Sequence, residues 1–314
     1  PGRTITHNLM GLFSDIDYFD LSEDLDIVSW DNYPFATNGS NQPPAPLSHD
    51  LMRGLKQQNV WVMEQASGPG GWGSFAATPQ PGQMRIWAYQ AVARGADMIS
   101  FFRWRSCRFG REQYWHGILY HHGKPQRRYE EVKQIGQEFN NIEKELKDTT
   151  VDSKIGILYD YSSLWALETQ PHAEKGFGYI ENAQRFDQAV AGLGLSADAV
   201  SIKSDLDQYD ILFAPSQHIL TPEIMEKIKE YTQNGGLVIF GPRSGVKDRE
   251  NAVINEYLPG KIRELSGCYI KEYDNFSQVQ DLNMKVKDNS NNEFEATGLA
   301  EILVTEKESA QPLL

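Results

Sequence analysis

The sequence predicts an α/β protein in two parts: half of a (β/α)8 barrel over residues 1–148 and a doubly wound, flavodoxin-like α/β domain over residues 149–314. Three observations predict it. Short, nearly continuous apolar runs alternate with amphipathic helical patterns, the signature of parallel sheets with right-handed crossovers. A charged helix end followed by Thr149, Thr150, Asp152 and Ser153 marks a seam after the fourth such unit. Polar and aromatic residues cluster where each of the first four runs ends, the position at which a (β/α)8 barrel carries its active site.

The four runs are residues 4–10, 25–33, 59–65 and 97–104, each apolar enough to be a strand covered on both faces. Ser48 can cap a helix carrying Leu51, Met52 and Leu55. Thr78-Pro79 supplies a cap and a first-turn proline ahead of Met84, Trp87 and Ala91. Residues 127–147 place Val132, Ile135, Phe139, Ile142 and Leu146 at gaps of three and four, a long amphipathic helix. Beyond the seam, residues 155–159, 209–214 and 237–240 read as strands. Residues 181–193 and the stretch from Thr221-Pro222 to Gly235-Gly236 read as helices. After Tyr273 the pattern thins to polar, turn-rich sequence, with strands expected at 279–286 and 300–304.

Composition excludes some partners. The formal net charge is −13, which disfavours nucleic acid and anionic membrane, because both require a basic face. No stretch approaches the roughly 20 apolar residues of a membrane span. Two distant cysteines, Cys107 and Cys268, outside any CxxC pair, point to a reducing, cytoplasmic setting. Asn38-Gly39-Ser40 and Asn275-Phe276-Ser277 match a glycosylation pattern that matters only in a secretory context. The chain opens on Pro1 and runs straight into a strand-like stretch, so a fragment of a longer protein is expected.

The strand ends carry His7 and Asn8; Trp30 to Pro34 (WDNYP); Glu64 and Gln65; and Phe102 to Arg105. Trp30 and Trp104, taken singly, read as core aromatics. Glu64 is different, since a carboxylate closing a buried strand is costly unless it is paired or functional. A salt-bridged structural glutamate remains an open alternative. Glu112 likewise reads either as a site residue or as a solvated loop charge. His121 and His122 read as exposed loop residues, not a metal pair.

Four stretches, SWDNYP (29–34), VMEQASGPGGW (62–72), SFFRWR (100–105) and FGREQYWHGIL (109–119), together resemble glycoside hydrolase family 42, the β-galactosidases built on a (β/α)8 barrel. The resemblance implies that the four strands are the fifth to eighth, the C-terminal half of the barrel. It implies that Glu64 is the nucleophile of a retaining reaction on terminal β-D-galactosyl residues. The general acid/base, a glutamate at the end of the fourth strand, and the cysteine cluster that binds zinc in some members would then lie outside this chain, which would be inactive alone. Tyr33 matches a tyrosine beside the nucleophile, Phe102 an aromatic wall, and Glu112 and His116 a sugar-binding pair. Three residues separate that pair here, where the family pattern has two. Retaining chemistry explains the opening of the loop after Glu64: Gly68, Gly70, Gly71 and Gly73 would let it turn beside the sugar, and Trp72 would stack on the sugar's C–H face. No metal or cofactor is expected.

For residues 149–314 the resemblance implies a class I glutamine-amidotransferase-like domain serving as a trimer interface. The residues themselves show no GxGxxG or GxxxxGK[ST] loop, and Cys268 sits on no nucleophile elbow, so the domain reads as structural. Trp165, Phe177 and Tyr179 are expected to pack on the barrel or on a neighbouring subunit. The family's further small β domain is expected to be absent. Two other functions stay open: a non-catalytic assembly module, and a glycosidase of the same clan acting on another sugar.

Overall fold

A computed structural model describes residues 2–34, 46–71, 77–173, 176–276, 284–288, 290–296 and 298–311. The chain divides into two compact units, Pro1–Asp152 and Ser153–Leu314. Residues 38–40, Trp72, Gly73, Ser277 and residues 279–283, to which expectations were attached, lie outside the described residues.

The first unit runs β1 (Asn8–Leu9), α1 (Tyr18–Ser22), β2 (Ser29–Asn32), α2 (Leu47–Gly54), β3 (Val60–Ala66), α3 (Gln83–Ala93), β4 (Ala96–Phe102) and α4 (Arg127–Leu146). Its strands lie in the order β1-β2-β3-β4, all parallel, the arrangement of half a (β/α)8 barrel. β1 is shorter than expected; before it backbone and side-chain bonds mix, with the Ile5 carbonyl accepting the Asp26 N–H at 2.9 Å, the Ile5 N–H donating to Asp26 Oδ2 at 2.7 Å and Thr6 Oγ1 donating to the Ile27 carbonyl at 2.7 Å. Two helix starts also differ from the expectation. α2 begins at Leu47 after Pro46, so Ser48 lies inside the helix and caps nothing. α3 begins at Gln83, because Gly82 takes a left-handed conformation (φ 86°) and its N–H is bound by Glu131 Oε1 at 3.1 Å; Thr78-Pro79 stay outside the helix. α2 is buried along its whole length, with the Asp50 carboxylate held between Arg53, at 3.0 Å, and Arg94. Ala66 of β3, Met84, Trp87 and Ala88 of α3 and Ile135 of α4 form one core cluster.

The second unit runs β5 (Ile155–Leu158), α5 (Tyr161–Thr169), α6 (Tyr179–Gly192), β6 (Ala197–Val200), β7 (Ile211–Ala214), α7 (Pro222–Gln233) and β8 (Leu237–Phe240). These strands form a parallel sheet in the order β6-β5-β7-β8, with the first strand inside, as in flavodoxin-like doubly wound domains. Thr221 caps α7 by accepting the Ile224 N–H at 3.3 Å, with Pro222 in the first turn, as expected. α5 was not among the helices read from the sequence; the Asp160 side chain caps it by accepting the N–H groups of Ser162 and Ser163. Phe177 and Tyr179 are buried within this unit, where Tyr179 opens α6, whereas Trp165 on α5 is 40% exposed. Then follow α8 (Ile262–Ser266), β9 (Cys268–Asn275), β10 (Met284–Lys287), β11 (Glu293–Ala296) and β12 (Leu299–Thr305). β9 pairs with β12 and β10 with β11, both antiparallel. The polar stretch expected to be turn holds the β10–β11 hairpin, where Asp288 Oδ1 accepts the N–H groups of Ser290 and Asn292.

Candidate active site

β3 brings Glu64 to the carboxyl end of the barrel sheet. Against β2, Val62 pairs with Trp30 but Glu64 with Asp31; against β4, Val62 pairs with Ile99 but Gln65 with Phe101. Between Val62 and Gln65, β3 therefore carries one extra residue relative to both neighbours, a bulge of the kind that re-aims a side chain; nearer its start, β4 carries the extra residue between Ala96 and Met98. Glu64 is half-buried. The Tyr33 hydroxyl donates to Glu64 Oε2 at 2.7 Å and the Asn8 amide to Oε1 at 3.3 Å. The ends of three consecutive strands thus supply a carboxylate and two donors. Beside them, buried Asn32 Nδ2 donates to Gln65 Oε1 at 3.0 Å and pins β2 to β3.

Asp31, the cross-strand partner of Glu64, is pushed up to about 7 by burial and next by the Glu64 charge, against a lowering hydrogen bond from Asn8. Burial, the hydrogen bond to Glu64 and the charges of Glu64, Asp31 and Glu112 push the Tyr33 phenol far up, so Tyr33 remains a proton-bearing donor at any working pH.

An aromatic wall backs this group. The Tyr33 ring meets Trp115 edge-on, with centroids 4.7 Å apart, and Phe102 at 6.5 Å. Two of the glycines after Glu64, Gly68 and Gly70, permit close packing, while Gly71 takes a positive φ of 158°. A Cβ on Gly70 would sit 2.6 Å from the Trp115 ring, and one on Gly68 would sit 2.3 Å from Arg128 Nη1 and 2.9 Å from His116 Cβ. Ser67 Oγ ties the loop down by donating to the carbonyls of Phe102, at 2.7 Å, and His116, at 3.2 Å.

Glu112 is not a bare solvated charge: it faces Arg103 at 3.4 Å with its side chain 46% exposed. The His116 imidazole is pushed down to about 4 by burial, then by Arg128 and His121, so it is neutral at pH 7. His121 packs edge-on against it at 5.0 Å and is half-buried, contrary to the expectation of an exposed loop residue; His122 is exposed. Trp30 is buried as expected, but Trp104 is 62% exposed and lies edge-on to Tyr129, beyond the end of β4 and outside the core. Among the described residues no group of three or more His, Cys, Asp or Glu could hold a metal ion. A solvent-open hollow lined by Arg85, Arg127, Glu130 and Glu131 contains none of the site residues, and its arginines are paired to Glu138 and Glu131.

The structure therefore brings Glu64, Tyr33 and Phe102 together, sets Glu112 within electrostatic reach of Tyr33, and joins His116 to the Glu64 loop through Ser67. Trp72 lies outside the described residues. Sequence reasoning passed over Asn8, Asp31 and Trp115. Asn8 and Asp31 stood in the strand-end clusters already noted, and Trp115 lies between Glu112 and His116.

Two family models match the chain: one described as β-galactosidase over residues 1–142, and one described as β-galactosidase trimerisation domain over residues 153–313. Among curated relatives, β-galactosidase Bga of Halorubrum lacusprofundi is 36% identical over 288 residues, covering 87% of this chain and 41% of its own length. β-Galactosidase BgaA of Clostridium cellulovorans is 35% identical over 279 residues, covering 87% of this chain and 42% of its own. The chain thus spans about two fifths of the length of the curated relatives it matches. Among solved structures, the β-galactosidase of Halorubrum lacusprofundi superposes with a TM-score of 0.89 at 34% identity over 99% of this chain and 47% of its own. That of Bacillus circulans sp. alkalophilus gives 0.88 at 28% identity over 96% of this chain and 45% of its own.

Proposed function

The chain belongs to glycoside hydrolase family 42, and from that premise we propose that it supplies the nucleophile half of a retaining β-galactosidase. Glu64 attacks the anomeric carbon of a terminal β-D-galactosyl residue and water later releases the sugar from it. The observation that carries this reading is the hydrogen bond from Tyr33 Oη to Glu64 Oε2 at 2.7 Å, at the carboxyl ends of parallel strands and against an aromatic wall. The nucleophile must be anionic and rigidly aimed, and a hydroxyl that keeps its proton supports both. As the glycosyl bond forms, the Glu64 charge is spent and Tyr33 follows the remaining carbonyl oxygen. The carboxyl that protonates the leaving oxygen must stand across the sugar from Glu64, and we place it outside this chain. Phe102, Glu112, His116 and Trp72 are assigned to the sugar: an aromatic face, a hydroxyl acceptor, a neutral imidazole and a stacking ring.

Residues 153–313 are assigned to assembly, as a homotrimer of the complete protein. Their match to a model described as a trimerisation domain supports this. Among the described residues no helix is long and apolar enough to cross a membrane. The free thiols of Cys107 and Cys268 support a cytoplasmic setting.

The test is Glu64→Gln and Glu64→Ala in the complete enzyme. Turnover of a nitrophenyl galactoside is expected to fall by about four orders of magnitude while galactose binding survives. A 2-fluorogalactoside should label Glu64, as read by peptide mass. Near-normal turnover in Glu64→Gln, or label on another residue, refutes the assignment. Faster turnover of a glucoside or arabinoside would keep the nucleophile and change the sugar.

A further inference from the structure

The chain after β4 folds back on itself. The Arg103 carbonyl accepts the Ile118 N–H at 2.7 Å, the Trp104 carbonyl accepts the Leu119 N–H at 2.8 Å, and the Leu119 carbonyl accepts the Ser106 N–H at 3.0 Å. Between these two short segments runs the loop that carries Glu112, and backbone groups hold it. The Glu112 carbonyl accepts the Trp115 N–H at 3.0 Å, His121 Nε2 lies 2.7 Å from the Gln113 carbonyl oxygen, and the Pro69 carbonyl accepts the His116 N–H at 3.0 Å. The loop thus has its shape without a charged pair. Arg103 nevertheless reaches into it. Its guanidinium lies over the Phe102 ring, 4.9 Å from the centroid, and Nη1 donates to Glu112 Oε2 at 3.4 Å. The Phe102 ring stands 6.5 Å from that of Tyr33, which holds Glu64.

The side chains of Arg103 and Glu112 are 31% and 46% exposed, and an ion pair this open adds little to stability. It offers instead a charged donor and a charged acceptor side by side, next to an aromatic face. The guanidinium has further N–H groups beyond the one that Glu112 takes. Adjacent hydroxyls of a sugar ring match this arrangement: one accepts from the guanidinium, the other donates to the carboxylate, and the ring's C–H surface meets the aromatic wall. Resting on the reading of Glu64 as nucleophile, we propose that Arg103 is a specificity-determining residue that reads, together with Glu112, the 3- and 4-hydroxyls of the galactosyl ring. The 2-hydroxyl sits next to the carbon that Glu64 attacks, so the 3,4 pair is the one clear of the reacting end. Inverting the 4-hydroxyl, the difference between galactose and glucose, takes one oxygen off this donor–acceptor fork and leaves the other in place. Both contacts exist before any bond breaks, so their loss appears in KM rather than in kcat.

The experiment measures kcat and KM of the complete enzyme, as wild type, Arg103→Met and Glu112→Gln, on a nitrophenyl galactoside and on its 3-deoxy and 4-deoxy analogues. On the parent galactoside, Arg103→Met is expected to raise KM by about 10-fold with kcat within about twofold of wild type. On the analogue that lacks the hydroxyl Arg103 serves, the same substitution should cost less than about threefold, because the contact is already gone. Glu112→Gln should lose its cost on the other analogue. Should Arg103→Met fold poorly, Arg103→Lys, which keeps the charge and loses the planar fork, is expected to show the same pattern with a smaller factor. An unchanged KM, or one factor common to all three substrates, overturns the proposal. So does a cost that vanishes on the same analogue for both substitutions, since Arg103 then only holds Glu112. The nucleophile reading fails separately. Turnover that survives Glu64→Gln removes the nucleophile, whereas turnover abolished by Glu64→Gln together with a uniform Arg103 effect removes only the hydroxyl reading.

Discussion

Gly70→Ala probes how the aromatic wall reaches the carboxylate. The new methyl would lie 2.6, 2.8 and 3.0 Å from three Trp115 ring atoms. Carbon atoms in contact prefer about 3.5–4.0 Å, so the ring or the loop must retreat by about 1 Å. Neither has an easy path. Ser67 anchors the loop through two carbonyls, and the Pro69 carbonyl accepts the His116 N–H at 3.0 Å. The Trp115 ring is packed edge-on to Tyr33 at 4.7 Å. Overpacking of this kind costs about 1–3 kcal/mol, a shift of roughly 2–9 °C in the melting of a unit this size. Displacing Trp115 also frees the Tyr33 ring and loosens the hydroxyl that holds Glu64. A misplacement of about 1 Å is worth about 100-fold in rate. The assays are urea unfolding and kcat/KM of the complete enzyme, with Gly136→Ala, where a methyl meets no neighbour, as the control. Gly70→Ala with stability within about 0.5 kcal/mol of wild type and unchanged turnover would refute the packing argument.

Three further outcomes are expected. Tyr33→Phe removes the donor to Glu64 Oε2 and, at about 1.5–3 kcal/mol for a hydrogen bond to a charged group, should lower kcat/KM by about 10- to 100-fold with little change in unfolding. Asp50→Asn strips the carboxylate from Arg53 and Arg94 inside α2 and should destabilise the first unit by about 3–5 kcal/mol in a denaturant titration. In the second unit, burial pushes His172 and His218 down to about 4 from the ordinary 6.5, so the unfolded chain takes up protons first. Stability is therefore full above pH 6.5 and declines as pH falls toward 4; urea unfolding should show the decline, and His218→Gln should flatten it.

Much of this was legible where local chemistry decides structure. Thr221-Pro222 and Gly235-Gly236 fixed α7 because a cap, a first-turn proline and a terminating glycine act within a few residues. The gaps of three and four fixed α4 to within one residue. β6 was hidden because Asp198 interrupts its apolar run; in the core Tyr209 Oη donates to that side chain at 2.9 Å, a partner eleven residues away. In the site, Glu64 stood out as an acid closing an apolar strand, and Tyr33 as part of WDNYP. Asp31 did not, since its role depends on which residue of the next strand faces it. Trp115 did not, since its partner Tyr33 is remote in sequence.

The irregular pairing of β3 has a consequence for how this strand tolerates change. In a regular strand, odd and even positions face opposite ways, so Val62 and Glu64 would share one side. The supernumerary residue breaks that parity against both neighbours. Excising Met63 would make Val62 and Glu64 adjacent, so the acid would keep its side and its register with Asp31 and lose only the local bend. Smoothing the strand with every residue kept would instead turn Glu64 to the side of Val62, because the reading frame of the strand, as much as the identity of the residue, determines which way the carboxylate points.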